Sequence, residues 1–266
     1  MEIFESFGIP VPKTKSASSV EEAEALYKEM FGSGNDCVIK AMVLTGGRGL
    51  GRFTSGLQGG VHICRSIEDV TKFSRKMLGY NLITKQTTSE GLPCNKIMLA
   101  ERMYLRREMY VSIMLDRAAG GPIFVASPHG GTSIEDVAEA TPEAIFKQPI
   151  NISIGVTEPQ AKYIAKALGF RPDTPAYHQC VDIVYKLYDM FVKRDCLLLE
   201  INPFAETPDG KIVICDAKID FDNNSQFRQK EVFEFRDRSQ EDSREVEVSR
   251  SGNFVLNSLL SVGSQI

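Results

Sequence analysis

The apolar residues recur along the chain with two periods, which predict two kinds of element. Stretches with apolar residues three or four positions apart, often preceded by serine or followed by glycine, predict helices over 18–32, 66–78, 142–146, 158–169, 176–195 and 225–235. Continuous or alternating apolar runs predict strands over 37–44, 95–103, 108–117, 121–128, 197–204 and 211–221. The dipeptide Asp209-Gly210 predicts a hairpin between the last two strands. Because helices and strands interleave in mixed order, the expected fold class is α+β or mixed α/β, not a strictly parallel barrel.

Composition limits the classes of protein that the chain can belong to. It has 266 residues, of which 42% are hydrophobic and 25% charged, and these values are ordinary for a soluble globular protein. A net charge of −4 gives no electrostatic reason to expect nucleic acid as a partner. No apolar run approaches the roughly 20 residues that a membrane span needs, so no membrane is expected. The acidic start MEIFESFGIPVP shows no targeting segment.

The six cysteines are scattered, and none forms a CxxC pair. Zinc binding is therefore not expected, and a reducing compartment fits best. Cys37, Cys196 and Cys215 lie in strand-like apolar runs, where a buried free thiol is the usual interpretation. The three histidines are too dispersed to suggest a metal cluster.

The stretch GGRGLGRF, residues 46–53, follows a predicted strand and contains four glycines. Gly46 and Gly51 have the spacing of a phosphate-binding P-loop, but Arg52 and Phe53 replace its lysine and hydroxyl residue. The order of glycines also differs from the GxGxxG dinucleotide motif. The two commonest nucleotide loops are therefore excluded.

A different phosphate site remains possible on these residues. Glycines let backbone N–H groups approach an anion, and Arg48 adds a permanently charged donor group. Lys40 interrupts an apolar strand, where its ammonium is costly unless it meets an anion. The alternative is a mobile turn with an exposed arginine, and the glycine stretch alone does not decide between the two.

Polar residues in the last two predicted strands suggest a metal site. Glu200 and Asn202 are two positions apart and so share one strand face, and Asp216 lies in the facing strand of the hairpin. An amide oxygen and a carboxylate are hard ligands that suit magnesium. The alternative is that Asp216 pairs with Lys218 or caps a turn.

Two further carboxylates, Glu101 and Glu108, flank the junction between two predicted strands. Either could accept hydrogen bonds from a ribose in a nucleotide cleft. The alternative is that both are surface charges paired with Arg102, Arg106 or Arg107.

Seven motifs together closely resemble the β subunit of succinyl-CoA synthetase, also called succinate–CoA ligase. The resemblance extends from about residue 3 to about residue 245 and rests on the motifs VIKAMVLTGGRGLG, SGLQGGVHI, TKQT, ASPHGGTSIEDVA, LEINPFAET, DAKIDFDNNSQFRQ and SQEDSRE. Several of these motifs are long and occur in the family's order, so the resemblance is specific.

The resemblance implies an ATP-grasp fold, in which two α+β subdomains hold a nucleotide between them. The smaller subdomain would span 13–100 and the larger 1–12 plus 101–245. The family reaction converts succinate, CoA and nucleoside triphosphate into succinyl-CoA, diphosphate and phosphate, with Mg²⁺. A phosphohistidine on a separate α subunit carries the phosphoryl group, so the implied partners are that α subunit and ATP.

The resemblance also implies roles for individual residues. Catalytic roles fall to Arg48 and Glu200, and magnesium ligation falls to Asn202 and Asp216. Nucleotide contacts fall to Lys40, Gly47, Arg48, Gly49, Ala100, Glu101, Tyr104 and Glu108.

Some positions depart from the family pattern. Ala100 stands where bacterial relatives have glutamate, so the backbone at 98–101 is expected to contact base and ribose. Pro12 replaces a glutamine typical of GTP-specific relatives, which favours ATP/ADP over GTP/GDP. The family subunit continues into a second domain, whereas 246–266 is a divergent tail where that CoA-ligase domain would begin. By resemblance the location is the mitochondrial matrix in a eukaryote, and otherwise the cytoplasm.

Three functions therefore remain open. The chain is the nucleotide-binding half of a ligase, a nucleotide-binding or regulatory protein without catalysis, or a structural partner whose cleft is inactive.

Overall fold

The computed structural model describes residues 1–32, 35–237 and 240. In this part of the chain the helices are α1 (Glu2–Ser6), α2 (Val20–Phe31), α3 (Ile67–Met77), α4 (Ile134–Ala140), α5 (Glu158–Ala167), α6 (Pro175–Lys193) and α7 (Lys230–Phe233). The strands are β1 (Thr14–Ala17), β2 (Cys37–Ala41), β3 (Arg52–Phe53), β4 (Val61–Cys64), β5 (Asn81–Ile83), β6 (Leu92–Pro93), β7 (Ile97–Glu101), β8 (Arg107–Asp116), β9 (Gly121–Ser127), β10 (Phe146–Pro149), β11 (Cys196–Glu206), β12 (Ile212–Ile214) and β13 (Ala217–Phe221). Three sheets and their helices confirm the α+β class.

The first sheet is antiparallel, with strand order β1-β7-β2-β4, and α2 and α3 pack beside it. Both helices begin at a serine, as the sequence predicts. The hydroxyl of Ser19 accepts a hydrogen bond from the Glu22 N–H at 3.1 Å, and that of Ser66 accepts one from Asp69. A small sheet of order β3-β5-β6 follows the glycine stretch.

The second large sheet has the order β10-β9-β8-β11-β12, and β13 also pairs with β11. All its pairings are antiparallel. Alternate residues of β8 and β11, such as Ile113 and Leu199, are fully buried in one core with residues of α5 and α6. The Asp209-Gly210 hairpin is confirmed by pairing of Phe204 with Ile214.

Two main apolar cores coincide with the two large sheets. One contains buried residues between Ala17 and Leu99, and the other contains Phe4, Ile9 and residues between Met109 and Ile214. This separation agrees with the expected division into 13–100 and 1–12 plus 101–245, which stays a prediction. The tail 246–266 lies outside the described residues.

Several predicted elements differ from the observed ones. The predicted strand 211–221 is interrupted at Cys215 and Asp216, and the strand predicted over 37–44 ends at Ala41. The helix predicted over 142–146 is a single 3-10 turn followed by β10, and that over 225–235 shrinks to α7. A short apolar run is compatible with a helix or a strand, and here the pairing with β9 makes residues 146–149 a strand.

The six cysteines are all free and buried, which confirms the expectation for Cys37, Cys196 and Cys215. No helix in the described residues is both long and apolar enough to cross a membrane.

Candidate nucleotide and metal site

Lys40 connects the two large sheets. Its strand neighbours Ile39 and Ala41 are fully buried in the first core, so the alternation of β2 directs Lys40 to the opposite face. The Nζ atom donates a hydrogen bond of 2.8 Å to the carbonyl of Cys215, which lies between β12 and β13 of the second large sheet. Burial lowers the pKa of the Lys40 ammonium, while the nearby Asp216 carboxylate acts in the opposite direction.

The glycine stretch brings Arg48 to the same place. Gly47 has φ of 69°, a left-handed conformation that favours glycine, and a short 3-10 turn over Arg48–Leu50 follows it. The Arg48 guanidinium pairs with both carboxylate oxygens of Asp216 and lies 3.4 Å from the Ala41 carbonyl. Asp216 therefore pairs with Arg48 instead of Lys218, and the loop is in contact with the second sheet.

Asn202 and Asp216 are neighbours across the hairpin. The backbone N–H of Asn202 donates to the carbonyl of Asp216 at 3.3 Å, at the interruption between β12 and β13. The Asp216 carboxylate also accepts from the Ala217 N–H at 3.1 Å. Asp216 lies outside both β12 and β13, so the alternation of a continuous strand does not fix the direction of its side chain. Its carboxylate contacts Arg48 on the first sheet's side of the site.

The side chain of Asn202 is held by the loop between β9 and α4. Its Oδ1 accepts from the Gly131 N–H at 2.6 Å, and its Nδ2 donates to the Thr132 carbonyl at 2.8 Å. These two bonds orient the amide, and Oδ1 keeps a second lone pair. That oxygen and the Asp216 carboxylate are hard donors on adjacent backbone segments, which is the ligand type that magnesium prefers. Their role as magnesium ligands stays a prediction.

Glu108 lies beside this loop. A side chain at Gly131 would overlap the Glu108 carboxylate, and the left-handed φ of 72° at Gly131 also favours glycine. This loop was not predicted to contribute to the site, although its motif ASPHGGTS contains two adjacent glycines. The two adjacent glycines before a capped helix could have indicated that another part of the chain packs closely against this loop.

Glu200 lies two residues before Asn202 in β11, between Ser112 of β8 and Lys218 of β13. Burial raises the pKa of the Glu200 carboxyl, and the nearby Lys218 partly opposes this shift. Because Glu200 and Asn202 are two positions apart in β11, their side chains are expected on the same face of the strand.

The remaining nucleotide-contact candidates lie at the junction of the two sheets. Ala100 is buried and paired with both Thr14 of β1 and Val38 of β2, so much of the β7 backbone is occupied by sheet pairing. Glu101 and Tyr104 are exposed. Their contacts with base and ribose stay predictions.

The arginines near these carboxylates have other partners. Arg102 pairs with Asp36, and Arg107 donates to buried Glu206 at 2.6 Å, with Arg106 at 3.6 Å from the same carboxyl group. These pairings weaken the interpretation of Glu101 and Glu108 as simple surface ion pairs.

Two cationic side chains, Lys40 and Arg48, lie together near Asp216 in the candidate site. Arg48 pairs with the Asp216 carboxylate, and Lys40 binds the carbonyl of the neighbouring Cys215. Such a group can bind an anion with several oxygens, and the adjacent amide and carboxylate oxygens can hold a divalent cation beside it.

The chain is similar in sequence to β subunits of succinate–CoA ligase from several organisms. The chain is 50% identical over 247 residues to the mitochondrial β subunit of ADP-forming succinate–CoA ligase from Dictyostelium discoideum, covering 93% of this chain and 55% of that protein. It is 44% identical over 243 residues to the mitochondrial β subunit of the GDP-forming ligase from Sus scrofa, covering 91% and 55%. The chain thus spans little more than half the length of these relatives.

Solved structures share the fold at low identity. ATP citrate lyase from Methanothrix soehngenii, solved with citrate and coenzyme A, superimposes with a TM-score of 0.64 at 16% identity, covering 94% of this chain and 55% of that one. A dinucleotide-forming acetyl-coenzyme A synthetase from Ca. Korarchaeum cryptofilum gives 0.56 at 20% identity, covering 83% and 90%. Residues 1–206 match the family model described as the ATP-grasp domain, and the chain therefore belongs to the ATP-grasp family.

Proposed function

We propose that this chain is the nucleotide-binding part of a succinate–CoA ligase β subunit. With an α subunit it would take part in the reaction succinate + CoA + ATP = succinyl-CoA + ADP + phosphate. The phosphoryl group would move between ATP and a histidine of that α subunit. The observation that carries the proposal is the convergence of Lys40, Arg48 and Asp216 beside Asn202. The nucleotide would lie between the units 13–100 and 1–12 plus 101–245.

Each residue of the candidate site would have a separate role in binding the nucleotide and its metal ion. Lys40 and Arg48 bind phosphate oxygens and offset the charge that develops during transfer. Asn202 Oδ1 and the Asp216 carboxylate would hold Mg²⁺, which would neutralise part of the phosphate charge when bound. Gly47 and Gly49 let the loop backbone approach the phosphates and help exclude water.

Other residues would serve the nucleoside and the partner. Ala100, Glu101, Tyr104 and Glu108 would line the base and ribose side of the cleft. Glu200 would face the phosphohistidine segment of the α subunit. An imidazole nucleophile needs no general base for phosphoryl transfer, so none is assigned among the residues of this chain.

The choice of base and the location are also proposals. Relatives named as ADP-forming and as GDP-forming both match this chain, and Pro12 supports ATP/ADP. The relatives' names carry the word mitochondrial, which supports the matrix as the location.

Calorimetry with Mg-ATP and Mg-GTP tests nucleotide binding. We expect saturable binding with preference for Mg-ATP. Asp216→Asn should lower the affinity about 100-fold or more, because Asp216 is both the proposed metal ligand and the partner of Arg48, and the substitution removes its charge. Asp173→Asn is the matched control, since its carboxylate is 77% exposed beside Arg171. Absence of saturable binding to either nucleotide by the folded wild-type chain would overturn the proposal.

A second experiment separates catalysis from binding. The chain is mixed with a succinate–CoA ligase α subunit and γ-labelled ATP, and phosphohistidine on the α subunit is followed. Label transfer supports the ligase function. Nucleotide binding without label transfer would favour the second candidate, a nucleotide-binding or regulatory protein that uses the same cleft without catalysis.

A further inference from the structure

Two sequence motifs, TKQT and SQED, have no role in the site described above. Each contributes one glutamine, Gln86 and Gln240, whose side chain contacts the same short segment. This segment, residues 42–46, is the loop root, because it connects the end of β2 to Gly47 and Arg48.

The glutamines bind backbone N–H groups of the loop root. The N–H of Leu44 donates to Oε1 of Gln240 at 2.7 Å, and the N–H of Gly46 donates to Oε1 of Gln86 at 2.9 Å. Two residues before Leu44, the N–H of Met42 donates to the Lys96 carbonyl at 3.0 Å. Three alternate backbone N–H groups, those of Met42, Leu44 and Gly46, are therefore bound to acceptors after the end of β2. Two side-chain amides thus continue the hydrogen bonding beyond the end of β2.

Gln240 makes a two-point contact. Besides accepting from Leu44, its Nε2 donates to the Met42 carbonyl at 3.2 Å and to the Asp237 carboxylate at 3.1 Å. A primary amide has both donors and acceptor, so it can bind a backbone N–H and a carbonyl together. A carboxylate in the same place could accept from Leu44 but could not donate to Met42.

Gln86 is held close to Gly46. Its backbone N–H donates to the Thr84 hydroxyl at 3.1 Å, and Thr84 in turn contacts the Thr45 hydroxyl at 3.0 Å. A Cβ at Gly46 would lie 2.6 Å from Oε1 of Gln86, so a glycine permits this approach. The contact of Gln86 with the loop root uses only its acceptor oxygen.

The two glutamines approach from different parts of the molecule. Gln86 follows β5 beside the glycine stretch, whereas Gln240 follows α7. The segment before α7 is bound to the second sheet's side of the molecule, since Gln229 donates to the Lys193 carbonyl at 2.8 Å. The loop root is therefore bound by two glutamines that are far apart in sequence, immediately before Arg48.

We propose that Gln86 and Gln240 are positioning residues that fix the loop root so that Arg48 faces the phosphates of the bound nucleotide. The proposal rests on the proposed function for its ligand, but its hydrogen bonds can be tested without nucleotide. Neither glutamine needs to contact the nucleotide.

Amide hydrogen exchange, followed residue by residue by NMR, tests the hydrogen bonds. We expect Gln240→Ala to raise the exchange rate of the Leu44 amide about 10-fold, and Gln86→Ala to do the same for Gly46, because each loses its acceptor. Gln148→Ala is the control, since this half-buried glutamine donates to the Pro149 carbonyl on β10, away from the loop root. Unchanged exchange at Leu44 and Gly46 would overturn the inference.

Conservative substitutions add a readout that general destabilisation would not give. Gln86→Glu keeps the acceptor, so Gly46 should stay protected. Gln240→Glu keeps the acceptor but loses both donor contacts and places a carboxylate near the Met42 carbonyl and Asp237, so Leu44 should exchange faster. Equal behaviour of the two glutamate variants would contradict the two-point contact of Gln240.

Calorimetry links the contacts to binding. Each alanine variant should bind Mg-ATP about 3- to 10-fold more weakly, with adenosine binding unchanged, because the loop root precedes the phosphate-binding residues. Faster exchange with unchanged Mg-ATP affinity would overturn the positioning role. Failure of the wild type to bind Mg-ATP would instead overturn the proposed function and leave the exchange result standing.

Discussion

Two arginine–aspartate pairs in this molecule have opposite surroundings. Arg228 and Asp195 join the segment before α7 to the turn after α6, with Nε and Nη2 of the arginine 2.9 and 2.7 Å from the two carboxylate oxygens. Gln229 adds a third bond to that carboxylate at 2.7 Å. One positive and one negative charge are matched, and these hydrogen bonds lower the Asp195 pKa to about 2.

The pair of Arg48 and Asp216 has an additional cation beside it. Lys40 lies within hydrogen-bond distance of the Cys215 carbonyl, next to Asp216, and its burial disfavours the charged ammonium. Arg48 is bonded to the Asp216 carboxylate, and Lys40 is a second cation close to that carboxylate. The Arg228 pair therefore matches one positive charge with one negative charge, whereas the Arg48 pair has a second cation beside it, as the proposed phosphate site requires.

The largest expected effect comes from removing the additional cation. Lys40→Met should weaken Mg-ATP binding about 100-fold, because a buried phosphate partner is lost. The same change should keep or raise Tm, because methionine removes the cost of a buried ammonium while preserving the stem volume. Calorimetry and thermal unfolding measure the two effects. A large fall in Tm would show that Lys40 is a structural cation, like Arg228, and would break the comparison.

A smaller and opposite effect is expected at the other pair. Asp195→Asn should lower Tm by about 2–4 °C and leave Mg-ATP affinity unchanged, because it removes a charged partner outside the cleft. Asp195 has φ of 52°, and asparagine tolerates this left-handed conformation, so the substitution mainly tests charge. Thermal unfolding measures the effect, and Asp173→Asn is again the control. A change in nucleotide affinity would remove the distinction between the two pairs.

The smallest expected effect is a pH dependence at Asp195. A carboxyl group with a lowered pKa in the folded state stabilises the fold above its unfolded pKa, about 3.9, and this contribution disappears as pH falls through about 2. The difference in unfolding free energy between wild type and Asp195→Asn should therefore shrink between about pH 4 and pH 2. Urea unfolding across this range tests it. A constant difference would mean that the charge of Asp195 does not carry the stabilisation.

Most regular elements of the fold could be predicted from local sequence. The helices α2, α3, α5 and α6 have capped starts and long apolar periods, and the structure confirms them. Short elements such as α1, β1, α4 and β10 were not predicted, because four to seven residues carry too little periodic signal. Their existence depends on partners elsewhere, such as β7 for β1 and β9 for β10.

The candidate site shows the same division between local pattern and long-range pairing. The sequence by itself determined the strand positions of Lys40 and Asn202, the glycine content of the loop and, through its motifs, the family. Only the tertiary structure decided that Asp216 pairs with Arg48, 168 positions away, and that Gly131 orients the Asn202 amide. The physical reason is that hydrogen bonds and ion pairs of distant residues depend on sheet register and on interruptions such as that at Cys215, which no local period encodes.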